Sequence, residues 1–353
     1  WSLYLKHLGF SPLQIGELMA ILMATKIISP NIWGWIADHT GQRMTIVRMA
    51  SLLAAVSFAT VFAVDSFWWM ALVMAVFSFF WNASLPQFEV VTLGHLGEDT
   101  HKYSKIRLWG SVGFIVTVSL LGLSLQFVSI DQLPLILALI FLLIWLSSLP
   151  VPEYRSQHRS GSHIWTVLRK PQVVALLLTC FFMLASHGPY YTFYSLFMES
   201  LDYSRPVIGL FWSLSVLAEV LLFIFMHRLL TLKSASFWLV LSMALACLRW
   251  LLMAWYADVL VLVLLAQCLH AATYGMFHAA AIHLIHQYFP HHHGRGQALY
   301  ASVSFGAGGV VGSLYAGSLW QTVTPDVTYM VAALIAFIGL LISLKVRTAD
   351  GIR

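Results

Sequence analysis

Eight ionisable side chains stand inside long apolar runs of this sequence: Lys26, Glu89, His187, Glu219, Arg249, His270, His278 and His283. Arg107 stands where another such run begins. Charge held away from water is costly, so groups like these face a cavity, a partner or a solute. Arginine keeps its proton and only donates, so Arg249 needs an anion, from the protein or from a solute. Glu219 is neutral when desolvated and ionised when Arg249 approaches, which makes the pair a candidate proton switch. A purely structural ion pair is the plainer reading. Lys26 lies about four helical turns past Ser11-Pro12, a depth that suits a carboxylate solute. Its stem also allows the amine to reach outward to an interface. His270, Tyr274 and His278 recur at four-residue spacing and share one helix face with Gln267. His187, Tyr191 and Tyr194 form a similar stripe. Each histidine has two uses open to it, proton carriage or a satisfied interhelical hydrogen bond.

These groups must be positioned by membrane helices. Of 353 residues, 60% are apolar or aromatic and 9% are Asp, Glu, Lys or Arg, against roughly 25% charged in soluble domains. Mean hydropathy is +0.82. Such a chain cannot coat a water-facing globule. A bilayer core takes about 20 apolar residues per helix. Spans are predicted near 13–37, 44–64, 67–93, 107–128, 132–149, 172–198, 206–230, 235–256, 259–286, 297–319 and 327–346. Pro30, Pro86 and Pro189 fall inside spans and should bend helices or free carbonyls. Gly306, Gly308, Gly309, Gly312 and Gly317 should let one helix cross its neighbours closely. Cys180, Cys247 and Cys268 lie in apolar runs without paired spacing, which argues against a disulfide framework or a cysteine metal site. No GxxxxGK[ST] loop is present, so ATP-driven pumping by this chain has no support.

The 19 Lys and Arg residues set the orientation. All but Lys6, Lys26, Arg205 and Arg249 fall on one set of connections, which predicts that side to be cytoplasmic. Positive charge that follows membrane topology gives no reason to expect nucleic acid as a partner. The polar connection 151–171, with Arg155, His158 and Arg159, divides an N-terminal bundle (1–150) from a C-terminal bundle (172–353). A cytoplasmic C-terminus with these spans places Trp1 outside. The segment Trp1–Leu8 then reads as the outer end of a further helix, giving twelve in two sixes with both termini cytoplasmic and the N-terminus truncated.

The first cytoplasmic connection reads Gly34-Trp-Ile-Ala-Asp38-His-Thr-Gly41-Gln-Arg43. Gly34 permits close helix contact, Gly41 makes the turn, and Asp38 can meet a helix N-terminus or a basic residue. This resembles the signature loop of the major facilitator superfamily between its second and third helices, and the resemblance covers essentially the whole chain. It implies an all-α integral membrane fold of twelve helices in two six-helix bundles. Glu89 after Pro86, the stretch from Lys105 through Arg107 to Gly113, Trp212 to Glu219, Arg249 and Leu269-His270 are similar to the lactose permease-like group, in particular its phenylpropionate permease branch.

That resemblance implies a proton-coupled importer in a bacterial inner membrane, a monomer without cofactor. Its substrate would be a small aromatic carboxylate such as 3-phenylpropionate, or, alternatively, a sugar or nucleoside. Glu89 and Arg107 then bridge the fourth and fifth helices and hold substrate, with Phe114 stacking on it, and Lys26 and His187 lining the site. Glu219, Arg249 and His270 form the coupling cluster, with His278 as a further partner; Gly34, Asp38, Gly41 and Arg43 form the gating motif. One departure stands out: Thr273 occupies the place of a proton-carrying glutamate, so the proton needs another group, Glu219 first. The rival class is a membrane metalloenzyme with histidine boxes, suggested by His283, His286 and His291–His293. Those histidines crowd one helix and its exit, whereas iron needs clusters on several helices.

Overall fold

Ser11 opens the first long helix. Its hydroxyl accepts from the Gln14 amide, the Gln14 side chain accepts from the Ser11 amide, and Pro12 supplies the first helical residue. The computed structural model describes residues 1–63, 66–99, 102–154, 165–290 and 293–346. Helices α1 (Ser2–His7), α2 (Pro12–Thr40), α3 (Arg43–Ala59), α4 (Phe67–Leu96), α5 (Tyr103–Phe127) and α6 (Leu133–Ser148) come first. After α7 (Trp165–Leu168) follow α8 (Pro171–Ser186), α9 (Gly188–Ser200), α10 (Arg205–Leu232), α11 (Ala235–Trp255) and α12 (Leu260–Cys268). The last are α13 (Phe277–Tyr288), α14 (His293–Ala301), α15 (Gly309–Thr322) and α16 (Pro325–Ser343). Among the described residues eleven helical stretches are long and apolar enough to cross a membrane, within a few residues of each predicted span. Arg155, His158, Arg159, His291, His292, Arg347 and Arg353 lie outside the described residues.

Three helices that look continuous in sequence are broken. His187 interrupts the span before Pro189, which has no amide to donate, so α8 and α9 meet at a joint. Between α12 and α13 the chain winds as a π-helix over Ala271–Met276, and between α14 and α15 over Ser302–Gly308. Such π segments concentrate at functional sites. Pro30 and Pro86, by contrast, lie within unbroken helices.

Buried apolar residues gather into two large clusters. One is drawn from Val173 to Val346; the other runs from Tyr4 to Phe141 and receives Phe193, Leu196 and Ala316. The two halves meet where α5 packs on α10 and α2 on α15. Glycines set both crossings. A Cβ on Gly122 would fall 2.8 Å from the Arg205 carbonyl oxygen, and one on Gly16 would fall 2.6 Å from that of Ser313. Ser119 and Ser213 bond across the first crossing at 2.7 Å, and Arg205 donates to the Leu125 carbonyl at 3.2 Å. Leu13 N–H donates to Gln321 at the second. These contacts lie at the end of the bundle poor in Lys and Arg.

At the opposite end Gly41 takes a left-handed turn (φ +67°), and Arg43 pairs with Asp38 and donates to Gln87 at 2.5 Å. One expectation changes here and one choice is decided. A Cβ on Gly34 would meet Gln87 at 3.7 Å, ordinary contact, so no close approach demands that glycine. The α3 N-terminus is capped by Glu153, which accepts from the Met44 and Thr45 amides at 2.9 and 3.2 Å. Asp38 takes the basic partner instead.

Candidate functional site

Arg249 of α11 is fully buried in the C-terminal half. Its Nε donates to the Ala266 carbonyl at 2.8 Å, and its Nη1 donates to Thr273 and to His270 Nδ1, each at 3.1 Å. His187 Nε2 lies 3.4 Å from the same nitrogen. The guanidinium sits 4.3 Å from the centre of the Tyr190 ring and 4.6 Å from that of Trp250, and both rings stabilise its charge. Because arginine only donates, the His270 nitrogen it meets presents a lone pair, and the neutral His270 ring carries its proton on Nε2. That Nε2 points to Glu219, 3.8 Å away on α10. His187 resolves the same way: its Nδ1 donates to the Met183 carbonyl at 2.8 Å, leaving Nε2 to face Arg249.

Glu219 and Arg249 are thus linked through His270 rather than joined as a direct pair. The sequence alone suggested direct approach, because it does not show that a histidine ring fills the gap between α10 and α11. Among the described residues no carboxylate contacts Arg249, and its Nη2 is buried without a hydrogen-bond partner. Thr273 gives Arg249 a neutral acceptor.

Two cavities adjoin this cluster. The larger, about 540 Å³, is lined by Phe114, Tyr190, Tyr194, Trp212, Glu219 and His270 among others, a size usual for small-molecule sites. The smaller, about 170 Å³, is lined by Lys26, Met23, Phe305 and Ser313 among others. Tyr191 and Tyr274 line both. The helix face foreseen from four-residue spacing exists: His270 stacks on Tyr274 at 5.3 Å between ring centres, and Tyr274 on His278 at 6.2 Å. His278 then bonds the Tyr300 hydroxyl at 2.8 Å and does not touch Glu219. His283 and His286 bond Gln287 and Gln297.

Across the interface, Arg107 Nε lies 3.7 Å from Glu89, and the Tyr103 hydroxyl donates to the same carboxylate oxygen at 3.1 Å. Both charged side chains are well exposed. The fourth and fifth helices of the resemblance therefore do bring Glu89 and Arg107 together. His187 differs from its expected place: it is fully buried behind Tyr190 and Tyr191 and lines neither cavity. Three residues of the site had no role in the sequence reading. The Tyr190 hydroxyl and Ser215 both donate to Gln267 Oε1, at 3.0 and 2.6 Å, and Trp212 packs on Tyr190. Tyr190 follows His187 at i+3 and Ser215 precedes Glu219 at i−4, helical spacings that could have flagged both; Trp212 stood only within the Trp212–Glu219 stretch, with no role given to it.

Residues 1–331 match the MFS_1-like family. The probable 3-phenylpropionic acid transporter of Escherichia coli (strain K12) is 28% identical over 366 aligned positions, covering 98% of this chain and 92% of that protein. An uncharacterised transporter of Bacillus subtilis (strain 168), YwbF, is 22% identical over 354, covering 99% and 88%. Among solved structures, the nucleoside transporter NupG superposes with a TM-score of 0.84 at 17% identity, over 97% of this chain and 92% of that one; a point mutant of the same transporter gives 0.85. That likeness speaks to the fold, a helical transporter fold with eleven membrane-crossing stretches among the described residues. Buried charge, paired halves and whole-length family match converge: this chain belongs to the MFS_1-like family of the major facilitator superfamily, a multi-pass membrane protein that works as a secondary transporter and not as an enzyme.

Proposed function

We propose that this transporter is a proton symporter importing a small aromatic carboxylate such as 3-phenylpropionate across the bacterial inner membrane, as a monomer with both termini cytoplasmic. Two bundles, 1–150 and 172–353, rock around the cavities in alternating access. The observation that carries the reading is the row Glu219–His270–Arg249, with Glu219 and His270 on the cavity wall and Arg249 buried behind them. A proton reaching His270 Nδ1 has to displace Arg249 Nη1, since that nitrogen cannot hold both. Release of the guanidinium frees it for an anion, while a neutral Glu219 loses its hold on the Nε2 proton. Proton binding and anion binding therefore favour the same rearrangement. In this reading Phe114, Tyr190 and Trp212 receive the aromatic ring, Lys26 serves the acid group, and Glu89 with Arg107 guards the approach. The relative from Escherichia coli supports the substrate class.

The test is uptake of labelled 3-phenylpropionate into proteoliposomes under an imposed inward proton gradient. Wild type should accumulate the acid above equilibrium. Glu219→Gln should lose that accumulation and keep counterflow exchange. Full accumulation by the variant removes Glu219 from coupling. No uptake by folded wild type overturns the acid and directs the assay to nucleosides and sugars, for which Glu89 and Tyr103 offer hydrogen-bonding groups.

A further inference from the structure

We propose that the small cavity beside Lys26 is the carboxylate subsite of a two-part binding site, with Tyr191 and Tyr274 as the partition between it and the ring-binding cavity. The proposal rests on the aromatic-acid reading above and locates where the acid group sits.

Four cations stand in or near the interface, and three are already held by the protein. Arg107 pairs with Glu89, and Arg205 with Glu199 at 3.1 Å. Arg249 is held by the Ala266 carbonyl, His270, Thr273 and two aromatic faces, and although its Nη2 has no partner it lines neither cavity, so a solute in either one does not reach it. Lys26 lines a cavity, and among the described residues no carboxylate or hydrogen-bond acceptor meets its amine. An ammonium has three donors and no acceptor, so a desolvated one that the protein leaves unpaired calls for an anion from a solute.

Charge also sorts the two ends of the solute. The larger cavity carries Glu219, which repels an anion, and Arg205, whose charge is already paired with Glu199, together with the rings of Phe114, Tyr190 and Trp212, which suit an apolar ring. The smaller cavity carries Lys26, with Met23, Phe305 and Ser313 around it and no acidic group on its wall. An acid joined to a ring by a short linker can satisfy both only by passing the Tyr191–Tyr274 partition. The subsite is shared between the halves: Lys26 and Met23 come from α2, whereas Tyr191, Tyr274, Phe305 and Ser313 come from the C-terminal half. An anion there bridges the two bundles, so its affinity depends on how closely they approach.

Binding of 3-phenylpropionate and of its neutral analogue 3-phenylpropanol should be measured by titration calorimetry on full-length protein in detergent. Lys26→Gln should weaken the acid by about 10- to 100-fold, the range for loss of one charge-assisted buried contact, and leave the alcohol unchanged. Lys26→Met serves as a second uncharged variant should the first fail to fold. Equal acid affinity in wild type and variant overturns the subsite and leaves the symport reading standing. Failure of the wild type to bind any aromatic acid overturns both.

Discussion

The glycine crossing between α5 and α10 gives a quantitative handle on alternating access. A methyl group at position 122 would lie 2.8 Å from the Arg205 carbonyl oxygen, 3.3 Å from Gly209 Cα and 3.4 Å from Pro206 Cα. All three are backbone atoms, so no side chain can turn away, and the helices must separate by several tenths of an ångström. That strains the Ser119–Ser213 bond and the bond from Arg205 to the Leu125 carbonyl. Overpacking of this kind costs about 1–3 kcal/mol. Only the conformation in which the crossing is closed bears that cost. Gly122→Ala should therefore shift the equilibrium toward an open basic-poor end by about 5- to 150-fold. Spin labels at Val128 and Asp202, measured by double electron–electron resonance, should show a longer-distance population that wild type lacks. An unchanged distance distribution with a lowered melting temperature would refute the reasoning, because it would mean the crossing stays closed through the cycle.

Two further outcomes test the architecture. Gly188→Ala places its Cβ 2.2 Å from the Gly312 carbonyl oxygen at the joint between α8 and α9, so a thermal-shift assay should report a loss of about 1–3 kcal/mol; an unaltered melting temperature contradicts that packing. Glu153→Gln weakens the cap on α3 by about 1 kcal/mol, and hydrogen exchange at the Met44 and Thr45 amides should quicken roughly fivefold; unchanged protection there would show that the carboxylate is not the cap.

The helices were legible because each apolar run has the length of a bilayer crossing, and because Ser11-Pro12, Ser66, Ser234 and Thr324-Pro325 mark their starts with capping side chains or proline. The face carrying His270, Tyr274 and His278 was legible from spacing alone, since neighbours four apart on a helix meet whatever surrounds them. The same holds for Gly41, whose positive φ the turn requires. Glu153 and Arg43 show the limit. Which acid caps α3 depends on a chain segment 108 residues away, and nothing local announces it.

By itself, then, the sequence determined that this is a helical membrane protein with charge in its interior, because hydropathy, helix period and the cost of buried charge act along one segment at a time. Tertiary structure alone decided the partners of those charges. It put His270 between Glu219 and Arg249, hid His187 behind two tyrosines, and left Lys26 facing a cavity with no carboxylate partner among the described residues. Those outcomes depend on which helix faces which, at what depth and rotation, and glycine-to-glycine crossings between distant segments fix all three.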